Sequence, residues 1–171
     1  IAFTQFALAH AGTFDETTIN QLYEARDRMN PSGIALLAFT LNRFNAADTR
    51  ARDLLSNLES SAILSSSGAH WEARGEDFFT RDSTIHTTSM VIYTLAQIDA
   101  GSPVLSNAVR YLAAHRNANR MWNIGHDNAW AILALNAAMV GTGEVRADFA
   151  FDAALNGGPL TSGDIAGIQV T

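Results

Sequence analysis

The chain has 171 residues, 47% of them apolar and 16% charged, with a net charge of −6 and no cysteine. That length can bury a sizeable core in one domain, and the missing cysteine excludes disulfides, thiolate nucleophiles and cysteine metal sites while leaving the redox compartment open. The acidic balance argues against phosphate-backbone partners, and no apolar run reaches the roughly 18 residues of a membrane span.

Seven helical stretches follow one another, and their polarity alternates. The first, Ile1 to Ala11, is apolar and ends at Gly12. The chain opens on "IAFTQFALAHAG", already helix-like and without an initiator Met, so it reads as a fragment cut inside a fold. The second, about Asp15 to Met29, is polar, with Asp15 as N-cap and Ile19, Leu22 and Tyr23 as a narrow apolar stripe. The third starts at "NPSG", with Asn30 suited to the cap and Pro31 to the first helical position, and is apolar on most sides. The fourth, "ADTRARDLLSNLESS", is polar around a Leu54, Leu55 and Leu58 stripe.

A long connection, residues 61–82, leads to the broadly apolar fifth helix, "STIHTTSMVIYTLAQI". The run "SSAILSSSG" inside it reads as polar loop. The sixth helix is amphipathic. Ser102 is its expected cap and Pro103 its first residue; Val104, Leu105, Ala108, Val109 and Leu112 face one way. The seventh, Asn128 to Val140, has almost no polar face. After Gly143 the period drops to two, and Asn156-Gly157-Gly158 signals a hairpin turn.

A helix apolar all round must be buried all round, whereas a striped helix lies on an outer layer. Strict alternation therefore predicts an all-α fold with two concentric helical layers, a partial α/α toroid followed by a short β segment. A stacked solenoid competes, since it also repeats helical pairs. The ring is preferred because solenoid helices share polarity more evenly. Seven helices make fewer hairpins than a closed ring needs, so an open edge is expected to expose apolar surface.

Three clusters are candidate sites. His126-Asp127 precedes the seventh helix, where an aspartate accepts backbone N–H bonds and complements the dipole; capping is the reading preferred over catalysis. The 61–82 loop carries His70, Glu72, Glu76, Asp77 and Asp82, which could serve a metal or a glycosidase, but their spacing matches no metal motif. Trp71, Phe78 and Phe79 suggest that this loop packs onto the helices. His86, among Thr84, Thr87 and Thr88, reads as a buried histidine hydrogen-bonded to a carbonyl, with the hydroxyls bonding back along the helix. His10 and His115 lie near helix ends. No phosphate loop or serine elbow appears.

The stretch "YTLAQIDAGSPVLSNAVRYLAAHRNANRMWNIGHDNAWAILALNAAM" resembles the last hairpins of the thioester-containing domain of alpha-2-macroglobulin and complement-type proteins. Pro103, Val109, Arg110, Leu112, Trp122, Ala129, Trp130, Ala131, Leu133, Ala134 and Leu135 carry the likeness. "LYEARDRMNPSGIALLAFTLNRF" and "GAHWE" add to it. The resemblance implies that residues 1–143 are the C-terminal part of a toroidal thioester-type domain. Residues 144–171 would lead into a CUB-like β-sandwich.

The implied function is scaffolding in a bacterial protease-trapping inhibitor, located outside the cytoplasm. Its partners would be the rest of its own toroid, flanking β domains and target proteases. The family's Cys-x-x-Gln thioester motif has no counterpart here, so no catalytic, cofactor or metal residue is carried over, and the chain is expected not to be an enzyme. Asn123, Ile124, Gly125 and His126 replace the family's Gly-Ser-Thr-Gln. The alternatives are a toroid-fold glycosidase or terpene-cyclase-like fragment with its site in the 61–82 loop, or a lone helical-repeat binding module.

Overall fold

A computed structural model describes residues 1–73, 83–122, 124–144 and 148–166. Among them are seven α-helices: α1 (Ala2–His10), α2 (Glu16–Glu24), α3 (Pro31–Phe44), α4 (Thr49–Ser60), α5 (Thr84–Ile98), α6 (Leu105–Ala114) and α7 (Gly125–Thr142). Two antiparallel hairpins complete the set: β1 (Ile63–Ser65) with β2 (Gly68–His70), and β3 (Asp148–Leu155) with β4 (Gly158–Ala166).

The odd-numbered helices pack side by side in the order α1, α3, α5, α7. The even-numbered ones lie against them: α4 on α3, α6 on α5, and α2 on α3. Helix polarity follows from this. One face of α3 offers Leu37 and Leu41 to a core shared with Leu54, Leu58, Val91, Leu95 and Leu112. Its other face offers Leu36 and Phe39 to a second cluster with Phe6, Met90 and Trp130. Helix α5 is divided in the same way, with Met90 on one side and Ile92 and Leu95 on the other. Both helices are apolar all round because both faces are covered. The striped helices α2 and α4 bury one side, with Ile19 and Ala51, Leu54, Leu55 and Leu58.

Asp15 and Asp48 cap α2 and α4 by accepting the backbone N–H of Thr18 at 3.1 Å and of Arg50 at 3.0 Å. The Thr18 hydroxyl, and next its N–H, hold the Asp15 carboxyl below its ordinary range. The Arg50 guanidinium, donating to Asp48 at 2.7 Å, does the same for Asp48.

The second helix is shorter than its pattern implies. It stops at Glu24, and a 3-10 turn, Arg26–Arg28, follows. Asn30 precedes Pro31, which pushes it out of helical geometry to ψ 156, and Met29 is already extended. The sixth helix begins at Leu105, not Pro103. Ser102 does not cap it. Its hydroxyl donates instead to Glu59 of α4 at 2.5 Å, so a contact between helices overrides the local signal.

The 61–82 connection is not simply a loop. Its β1–β2 hairpin docks on α6, and Gly68 makes the approach possible. Its φ is +132, and a Cβ there would sit 2.2 Å from the Asn107 carbonyl oxygen and 2.7 Å from the Tyr111 nitrogen. The expected second hairpin is present, turning at Asn156 and Gly157.

Two outcomes test these contacts. Gly68→Ala combines overpacking with an unfavourable φ, and urea unfolding should show a loss of about 2–4 kcal/mol. Caps whose carboxyls are lowered in the folded state stabilise above their unfolded values, and that stability is lost as pH falls through the folded values. Far-UV circular dichroism in acid should therefore show an early partial loss of helix that Asp15→Asn with Asp48→Asn makes independent of pH.

Candidate functional site

The sequence candidates His86, His126 and Asp127 meet where α5 and α7 begin. Ser83 caps α5, its hydroxyl oxygen accepting the His86 backbone N–H at 2.9 Å. The same hydroxyl donates to Oδ1 of Asp127 at 2.8 Å. Asp127 is only 1% exposed, in the first turn of α7, where the helix dipole favours a negative charge. The buried His86 ring lies 4.2 Å from the ring of the exposed His126, centroid to centroid, tilted by 41°. Trp130 closes the cluster, its ring edge-on to His86 at 6.0 Å.

The capping role expected for Asp127 is corrected by this geometry. Helix α7 starts three residues earlier than its apolar run, with Ile124 in the cap position. Asn128 makes the extension possible: its Nδ2 donates to the carbonyls of Ile124 at 2.8 Å and Trp122 at 3.2 Å, and its Oδ1 accepts the Trp122 N–H at 2.8 Å. Asp127 then faces a neighbouring helix instead of its own cap.

Serine, histidine and aspartate converge here without the order of a nucleophilic triad. A triad needs the hydroxyl proton directed at an imidazole whose other nitrogen faces the carboxylate. In this cluster the hydroxyl donates straight to the carboxylate, so the bond joins two helix starts.

The residues of the 61–82 loop separate. Trp71 is buried, its indole N–H donating to the Leu58 carbonyl at 2.8 Å and its backbone N–H to the Thr88 hydroxyl at 3.1 Å. His70 stacks on Tyr111 at 4.5 Å, and Tyr111 stacks in turn on His115 at 3.8 Å. Burial raises the Tyr111 hydroxyl above its ordinary value, and the Glu72 carboxylate adds to the effect. Glu72 is 63% exposed, with its oxygen 3.6 Å from Nε2 of His70. Glu76, Asp77, Phe78, Phe79 and Asp82 lie outside the described residues. Among the described residues no three His, Asp or Glu side chains are placed to hold a metal ion.

His10 ends α1 and stacks on Phe39 at 4.9 Å, while Nδ1 of His115 meets the Tyr111 carbonyl at 2.8 Å at the end of α6. Of the hydroxyls expected to bond back along α5, that of Thr88 pairs instead with the Trp71 backbone, and it is Ser89 that donates back along the helix, to the Ile85 carbonyl at 2.7 Å. Thr94 crosses to the Ala35 carbonyl of α3 at 3.1 Å. Trp122 plugs the turn before α7, its indole donating to the Leu112 carbonyl at 3.1 Å. Ser83 as partner of Asp127 and Tyr111 as partner of His70 were not foreseen, because each pair meets across a gap in sequence that no local pattern spans.

No known family model matches the sequence, and no curated protein matches it.

The Ser83–Asp127 bond is open to a double-mutant cycle. Asp127→Ala should cost about 1–3 kcal/mol and Ser83→Ala about 0.5–2 kcal/mol. The double variant should lose less than the sum, by about 0.5 kcal/mol or more. Additive losses in denaturant melts would show that the bond couples nothing.

Proposed function

We propose that this chain is a scaffold segment in the α/α toroid of an alpha-2-macroglobulin-like endopeptidase inhibitor, acting outside the cytoplasm and carrying out no chemistry itself. The observation that carries this reading is the row of odd-numbered helices. Its central members, α3 and α5, are covered on both faces, whereas α1 and α7 leave large apolar side chains in solvent. Ile1 and Phe3 are 81% and 56% exposed, and Ile132, Leu133 and Val140 are 61%, 50% and 57% exposed. A row that buries its middle and exposes its ends suits an arc to be continued by further helices of the same ring.

The residues of resemblance fit the same assignment. Trp122 and Trp130 are buried plugs, Leu112 is core, and Arg110 is on the solvent side of α6. The partners in this reading are the rest of the toroid, the flanking β domains and the trapped protease. With no cysteine, the chain supplies no thioester, so its contribution is shape and packing.

The test uses the full-length inhibitor and a broad-specificity protease. Trapping should abolish cleavage of a large protein substrate while cleavage of a small peptide substrate persists. Ile132→Glu with Leu133→Glu, placed on the open face of α7, should leave the helical content of this segment intact and remove trapping. Equal loss of both substrate activities, or no loss of either, would overturn the reading.

A further inference from the structure

The β3–β4 hairpin carries the chain's one Asn-Gly dipeptide, at its tip. Asn156 has φ +51 and Gly157 φ +82, the paired positive values of a type I′ turn. Leu155 pairs with Gly158 directly below it. Both turn residues are exposed, and nothing lies within 4 Å of where a Gly157 side chain would begin. Among the described residues the hairpin has no third strand, and a register irregularity at Ala153/Ala154 interrupts its ladder. The leucines flanking the turn are open to solvent, with Leu155 64% and Leu160 67% exposed. A two-stranded hairpin is marginally stable alone, so its tip opens at the low end of the stability range.

We propose that Asn156-Gly157 is a self-modifying site, at which the asparagine converts to isoaspartate and aspartate and the conversion unlocks the hairpin. The Gly157 backbone nitrogen loses its proton to hydroxide and attacks Cγ of Asn156. The new N–Cγ bond forms as the Cγ–Nδ2 bond breaks, and the amide nitrogen takes a proton from water, regenerating hydroxide, and leaves as ammonia. Water then opens the five-membered imide at either carbonyl, giving aspartate or isoaspartate.

Glycine admits this attack because it has no Cβ to obstruct its nitrogen. The attack also needs the Asn156 backbone to rotate until the Gly157 nitrogen faces Cγ, a rotation the closed turn restrains. The rate therefore reports how often the hairpin opens. Isoaspartate inserts a methylene into the main chain, which the two-residue turn cannot accommodate, so the strands lose the connection that sets their register. The product also adds a negative charge beside a hairpin whose side chains already include Asp152 and Asp164 and no base.

The experiment incubates the whole 171-residue chain at mildly alkaline pH, beside a synthetic peptide of residues 153–160 as the unrestrained reference. Peptide mass mapping and enzymatic isoaspartate methylation read the product. Conversion should begin at Asn156 before any other asparagine, run slower than in the peptide, rise with pH and vanish in Asn156→Gln. Hydrogen exchange on the converted fraction should show lost protection in β3 and β4 with the helices unchanged. An intact Asn156 while the peptide converts, equal conversion at other asparagines, or unchanged strand protection after conversion would each overturn the proposal.

Discussion

Everything else in this protein depends on covering helix α5 from every side. Eleven of its fifteen residues are buried, including His86, Thr87, Thr88, Ser89 and Thr94. A helix of that kind cannot stand at a surface, because its apolar side chains gain nothing there. It also brings polar groups inward, and each needs a partner to offset its desolvation. The protein covers the apolar surface by placing α3 and α7 beside α5 and α6 behind it, and several of the polar groups find partners there. Thr94 bonds the Ala35 carbonyl of α3, Ser89 bonds its own helix, and Thr88 receives the Trp71 N–H. The polar groups thereby specify which neighbour lies where, a task that non-directional apolar contact performs poorly.

The start of α5 applies the same logic to a cap. A serine at the cap position needs only its own backbone partner to be effective. Here its hydroxyl also donates to a buried carboxylate on α7. One side chain therefore sets the end of one helix and the registration of the next. The carboxylate gains from the positive end of its own helix, which makes burial tolerable. The adjoining His86–His126 contact lies against Trp130, itself part of the cluster that reaches Phe6 on α1. The cluster thus ties the first helix to the last through rings in contact.

The β1–β2 hairpin shows a different balance. It holds α6 through one glycine without side-chain bulk and through His70 stacked on Tyr111. Its first strand keeps Ile63 and Leu64 exposed, while Ala69 in the second is fully buried. Gly68 lets the second strand approach the α6 backbone, and nothing in the run "SSAILSSSG" carries β-periodicity long enough to announce the pair. His70 and His115 both stack on Tyr111, so two histidines that looked unrelated in sequence share one aromatic neighbour.

By itself the sequence determined seven helical stretches, the burial of α3 and α5 on both faces, the cap at Asp15, and the turn at Asn156-Gly157. Those are consequences of local chemistry: side-chain periodicity, oxygen acceptors next to free N–H groups, and residues that tolerate positive φ. Helices α1 and α7, as apolar in sequence, keep large side chains in solvent. Tertiary structure alone decided that Ser102 serves Glu59 and not its own helix. It also decided that Asp127 belongs to Ser83 and His126 to His86. Adjacent side chains at a helix start point in different directions, and what each meets depends on the helix packed alongside. The pair His126-Asp127 suggested a site because its residues are neighbours in sequence; on the helix they point in different directions and serve different partners.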